Sequence, residues 1–250
     1  MSQVLLEVCI DSVESAVAAE SGGARRVELC SGLSDGGLTP SIGMIEQVLE
    51  AVTIDVMVII RPRGGDFLYS SHEWATIQKD IQHISKLGVK GIVFGSLLAN
   101  GKVDMAGTQR AIEWAGGLDF TFHRAFDMSE DPVRALEDLM KVGVPRILSS
   151  GQAPNAIEGS GLLGKLQSHA GKDCILMAGG GILPGNVQIL LEQASLREIH
   201  ATCWEKVESS MEFRQDKVYM GKEEGEEYGV WVASPLIVRE LLDRANAVNP

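Results

Sequence analysis

A closed barrel of eight parallel strands ringed by eight helices, the (β/α)8 TIM-type class of α/β folds, is what this sequence predicts, and three observations predict it. Short apolar runs alternate with helix-like segments from one end of the chain to the other. Eight such runs favour closure over an open doubly wound sheet of five or six. The length, 250 residues, is that of one such barrel built on a single core. The expectation is one domain over residues 1–250, with a long connection after the eighth strand at about 201–233.

The strands are expected near Leu5 to Cys9, Arg26 to Cys30, Val56 to Arg61, Gly91 to Phe94, Phe120 to His123, Arg146 to Ser149, Ile175 to Ala178 and Glu198 to His200. Helical spacing follows them near Ser12 to Ser21, Ser41 to Val52, Trp74 to Leu87, Met105 to Trp114, Pro132 to Val142, Asn155 to His169, Asn186 to Gln193 and Pro235 to Ala247. Strand and helix in this rhythm make right-handed βαβ units, hence a parallel sheet. Start signals agree: Asp11-Ser12, Thr39-Pro40-Ser41, Ser71, Asp104 and Ser129 to Pro132 supply caps or first-turn prolines. Gly88, Gly143 and Gly171 stand where left-handed C-terminal caps are needed. The long connection reads as an ordered loop or flap, with Lys222 to Glu227 as a solvated acidic tip.

Bulk properties exclude several classes of function. A net charge of −12 argues against a nucleic-acid binder, which needs a basic face. No apolar run approaches a membrane span, and Met1 to Glu7 lacks the basic and apolar regions of a secretory signal. The expected location is the cytoplasm, with the nucleus as an alternative. Four scattered cysteines, Cys9, Cys30, Cys174 and Cys203, do not make a disulfide framework and should be thiols there.

Barrel proteins build their sites from C-terminal strand ends and the loops beyond them. Leu6-Glu7-Val8-Cys9 and Val27-Glu28-Leu29-Cys30 each deliver an acid and a thiol to such an end. Adjacent strands lie about 4.8 Å apart, so the two thiols fall within sharing distance if the register permits. A pair of soft thiolates at low coordination suits Cu(I) better than zinc, with His200 and Cys203 as supplementary donors from the eighth strand. Two other readings stand beside this one: small buried hydrophobes, or a reversible disulfide.

Cations and imidazoles complete the pole. Arg61-Pro62-Arg63-Gly64-Gly65-Asp66 leaves the third strand and reads either as an anion clamp or as an ion network with Glu7, Glu28 or Asp66. His123, Arg124 and Asp127 follow the fifth strand, and His123 with Asp127 forms a candidate acid–base pair, with Glu7 and Glu28 as further catalytic candidates. Gly179, Gly180 and Gly181 offer backbone N–H groups to an anion, or simply make a tight turn. A small anionic or phosphorylated metabolite, handled by this Arg/His/Asp pole in an enzyme, is the alternative to the metal.

Taken together, Leu6 to Cys9, Gly23-Ala24-Arg25-Arg26-Val27-Glu28-Leu29-Cys30, Gly36-Gly37-Leu38-Thr39-Pro40-Ser41, Ile60 to Phe67, Phe122-His123-Arg124-Ala125-Phe126-Asp127 and Gly179-Gly180-Gly181-Ile182 resemble the CutC copper homeostasis family, from Glu7 to about residue 232. The resemblance implies a cytoplasmic barrel linked to copper tolerance, binding Cu(I) and assembling as a homo-oligomer, dimeric or tetrameric. It also implies copper ligands at the ends of the first two strands, positions held here by Cys9 and Cys30. Arg25 stands where the family commonly has an acid and Ala178 where it commonly has proline; neither touches the thiol pair.

Overall fold

The computed structural model describes residues 3–215, 217–218 and 227–248. Eight strands, β1 (Leu5–Ile10), β2 (Arg26–Leu29), β3 (Asp55–Ile59), β4 (Gly91–Phe94), β5 (Asp119–Phe122), β6 (Arg146–Ser149), β7 (Ile175–Gly179) and β8 (Glu198–Ala201), close into a barrel in sequence order. Closure is made by β8 pairing in parallel with β1, where Glu7 lies opposite His200. Helices α1 (Val13–Gly22), α2 (Ile42–Ala51), α3 (Ser71–Ile84), α4 (Met105–Ala115), α5 (Pro132–Lys141), α6 (Ser160–Ala170), α7 (Val187–Ala194) and α8 (Pro235–Val248) alternate with them, as the sequence pattern predicts.

Side-chain alternation along each strand separates two interiors. Leu6, Val8 and Ile10 of β1 join Val27, Leu29, Val58 and Ile92 in the large core between the strands and the helices. Their neighbours Cys9, Cys30, Met57, Ile59 and Val93 form a second, smaller apolar cluster inside the barrel. Inward-facing positions of the first, second and eighth strands also carry Glu7, Arg26, Glu28, Glu198 and His200, all buried, which decides what the barrel interior can do.

Caps set the helix boundaries. Ser12, Ser41 and Asp104 accept hydrogen bonds from the first turns of α1, α2 and α4, and Asp131 does so just before Pro132 of α5. Helix α3 begins three residues before the expected Trp74 because Ser70, not Ser71, is its cap, locked by a reciprocal box with Glu73. Helix α6 begins at Ser160 and not at Asn155, since the Asn155 carboxamide accepts from the N–H groups of Ile157 and Glu158 and holds a turn there.

The long connection is a β-arm. Strand β9 (Trp204–Glu208) pairs antiparallel with β10 (Gly229–Ala233), so that Ala233 lies opposite Trp204 and Trp204 packs near Trp231 with ring centroids 6.1 Å apart. Most of the expected acidic tip from Lys222 to Glu227 lies outside the described residues. No helix among the described residues is long and apolar enough to cross a membrane.

Where β4 meets β5, only a glycine fits. A Cβ at Gly91 would lie 2.5 Å from Met57 Cε, 2.8 Å from Asp119 Cβ and against the Asp119 carbonyl. Gly91→Ala is expected to cost about 1–3 kcal/mol through overpacking, measured as a lowered urea midpoint with an unchanged slope.

Candidate metal centre

Two thiols meet at the C-terminal rim of the barrel. Parallel register sets Cys9 opposite Glu28, and Cys30 lies two residues beyond Glu28 on the same face. The Sγ atoms of Cys9 and Cys30 are 3.8 Å apart, and both side chains are buried. With an oxygen of Glu28 they form a group of three donor atoms within 4.8 Å of one another. Two thiolate–metal bonds of ~2.3 Å laid end to end would span ~4.6 Å, so one ion can touch both sulfurs, with Glu28 at its side.

Beneath the thiols runs a chain of buried charges. Glu7, fully buried, accepts from Arg26 Nε at 2.5 Å and bonds His200 Nδ1 at 2.9 Å. Arg26 also pairs with Glu198, which holds Arg146 at 2.8 Å. His200 Nε2 lies 3.6 Å from Glu28. Burial pushes the Glu7 carboxyl up, but Arg26 and His200 overcome it and bring its pKa down to about 2.

Protonation divides the two thiols. Hydrogen bonding from the Cys30 S–H brings Cys9 down to about 5 against the cost of burial, with His200 helping. The same bond, together with burial, raises Cys30 well above the ordinary thiol range. Burial and the neighbouring Cys9 charge raise the Glu28 carboxyl well above its ordinary range. His200 would lose its proton on burial alone, but Cys9, Glu7 and Glu28 raise it well above its ordinary value. These opposite directions favour the thiolate at Cys9, the thiol at Cys30 and the protonated ring at His200.

The supplementary donors take different places. An imidazolium has no lone pair to offer, so His200 acts first as the cation that holds Cys9 ionised. Cys203 packs in the outer core, not among the cavity residues, and burial pushes its thiol up to about 12. Cys174 is likewise buried and pushed up to about 12.

The cationic arc divides as well. Arg63 turns away from the mouth to Glu73 at 2.6 Å and Asp66 at 2.9 Å, an ion network and not a clamp. Arg61 stays at the mouth, only 5% exposed, with its guanidinium donating to the carbonyls of Asp35, Gly37 and Gly65. The expected His123–Asp127 pair does not form. Asp127 is taken by Arg124 Nε and by Ser149, Ser150 and Gln152, while His123 Nδ1 accepts from the Ala125 N–H. The reason is the 3-10 turn at Arg124–Met128, which carries Asp127 toward β6. Gly179 lacks a side chain because a Cβ there would lie 2.6 Å from Leu148 Cδ1 and 3.3 Å from His200 Cβ; it gives room to neighbours, whereas Gly180 and Gly181 line the cavity.

Arg26, Glu198 and Arg146 are absent from the sequence-based candidates. Their signal is the i, i+2 spacing: Arg26, Glu28 and Cys30 share one face of the second strand run, as Glu198 and His200 share one face of the eighth. Removing a charge from this chain should be severe. Glu7→Gln leaves Arg26 and His200 buried beside a neutral group and is expected to cost about 3–5 kcal/mol, read by denaturant melts. Because the Glu7 pKa is depressed from 4.5 to about 2 in the folded chain, its contribution is full above 4.5 and drains as pH falls toward 2. Acid melts between these limits should be steeper for the parent chain than for Glu7→Gln.

Comparison with known proteins agrees with this architecture. The model of the CutC family matches residues 4–205. A human protein named copper homeostasis protein cutC homolog is 45% identical over 238 residues, covering 95% of this chain and 87% of its own. A CutC family protein of Chromobacterium violaceum is 43% identical over 244 residues, covering 96% and 99%. Among solved structures, CutC from Streptococcus agalactiae superposes with a TM-score of 0.75 at 31% identity, over 80% of this chain and 98% of that one. On these grounds the chain belongs to the CutC family.

Proposed function

We propose that this chain binds Cu(I) between Cys9 and Cys30 and serves copper homeostasis, the role named for its human relative. The observation that carries the reading is the buried sulfur pair, 3.8 Å apart at the rim of an open cavity. Soft thiolates select a soft ion, and zinc would ask for four ligands in a closed tetrahedron. Cys9, Glu28 and Cys30 supply three donors at most, and two of them are sulfur. The ion is cargo on this reading, reached from the mouth and released there. The thiols need a reducing compartment, so the reading places the chain in the cytoplasm. A dimeric or tetrameric homo-oligomer goes with the family resemblance, and light scattering of the purified protein would test it.

Binding has a proton cost. Cys9 is ionised at neutral pH, but Cys30 must give up its proton before both sulfurs can ligate. Between pH 6 and 8 the Cu(I) affinity should rise about tenfold per pH unit, the signature of one released proton. Cys9→Ser with Cys30→Ser should lower affinity by more than the ~10–100-fold typical of losing an outer-shell partner. Competition of the reduced protein against a Cu(I) chelator measures both, and an affinity unchanged in the double variant would dismiss the proposal.

A further inference from the structure

The mouth carries chemistry that the thiols do not use. One cavity of about 300 Å³ runs from Cys9 and Cys30 across to Arg61, His123, Trp204 and the Gly180–Gly181 turn, at the small end of the size range of metabolite sites. Among the described residues, six buried side-chain polar atoms have no hydrogen-bond partner; the three nitrogens, Arg61 Nε, His123 Nε2 and Trp204 Nε1, all belong to residues lining this cavity. All three are donors. His123 Nδ1 accepts from the Ala125 N–H, so in the neutral ring the proton sits on Nε2. Burial and the Arg61 charge keep that ring neutral, with a pKa near 3.

Charge points the same way. Arg61 is buried, and its guanidinium NH2 groups donate to the carbonyls of Asp35, Gly37 and Gly65 while Nε has no acceptor. A buried guanidinium nitrogen without an acceptor is costly, and an oxyanion from a ligand can supply one. Across the cavity, Gly180 and Gly181 have φ of 105° and 70°, and their N–H groups and that of Ile182 donate to no group among the described residues. Successive free N–H groups in such a turn form a concave anion seat. Arg124 lies over it, its Nη1 3.5 Å from where a Gly180 Cβ would stand.

We propose that the barrel mouth holds an oxyanion site, distinct from the thiol pair, that seats the phosphate or carboxylate group of a small organic molecule between Arg61, His123, Trp204 and the Gly180–Gly181 turn. Leu33, Ile59, Leu148 and Ile182, also in the lining, leave an apolar wall for the rest of the molecule. The ligand thus sits beside the metal position without using a sulfur, and its occupancy covers the route to Cys9 and Cys30.

The test uses the full reduced chain labelled with 15N, titrated separately with inorganic phosphate and with acetate. The indole N–H resonance of Trp204, assigned through Trp204→Phe, reports binding. Saturable movement with phosphate assigns a phosphate ester, and with acetate a carboxylate; either supports the site. Arg61→Lys should weaken the effective probe at least tenfold and Trp204→Phe about threefold, the latter measured from the Gly180 and Gly181 amide resonances. The Cys9→Ser, Cys30→Ser chain should still bind the probe, no more weakly than the parent because it lacks the Cys9 thiolate charge in the same cavity, which keeps this result separate from any result with copper. No shift with either probe at concentrations on the order of tens of millimolar, or equal binding by both variants and the parent (an adventitious ion only), overturns the proposal.

Discussion

Glu7 is the residue on which the rest of the barrel interior depends. Wholly buried, it holds Arg26 with one carboxylate oxygen and His200 with the other. The ions of this layer come to balance: Arg26, Arg146 and His200 against Glu7, Glu198 and the Cys9 thiolate. A buried charge is tolerated only when it is paired and hydrogen-bonded. Here the pairing does more than offset desolvation, because its last member is a sulfur anion at the floor of a solvent-reachable cavity.

Asymmetry between the thiols follows from that chain. One sulfur is ionised by its neighbours and the other is kept protonated by the first. On the proposed reading, a metal arriving at the rim meets one ionised sulfur, Cys9, and one, Cys30, that must still yield a proton. Such a site binds tightly only once Cys30 has lost its proton, so local pH and ligand competition both govern its occupancy. A site meant purely to lock an ion in place would surround it with four donors. Two sulfurs and one acid on an open mouth suit exchange.

Much of this was legible in the sequence because it is local. Strand runs ending in Cys9 and Cys30, the alternation that turns Glu7 and Glu28 to the same side, and the glycine turn after the seventh strand all repeat at short spacing. What escaped is set by register or by turn geometry. Nothing in the residues before β2 says that Arg26 meets Glu7 and not Glu28; that comes from closure of β1 on β8 and the stagger of the sheet. Asp127 lies four residues from His123 and still serves Ser149 and Ser150, because a 3-10 turn carries it to the next strand. Trp204 sat inside a connection with no periodicity, and only the pairing of β9 with β10 brings its indole to the mouth.

On the proposed reading, two sulfur atoms on neighbouring strands share one soft ion. An X-ray absorption spectrum of the reduced, Cu(I)-loaded protein at the copper edge measures this most directly. Shared ligation gives a first coordination shell containing two sulfur scatterers, both lost when Cys9 and Cys30 are replaced by serine. A shell of nitrogen and oxygen alone, or a sulfur shell that survives the replacement, would contradict it.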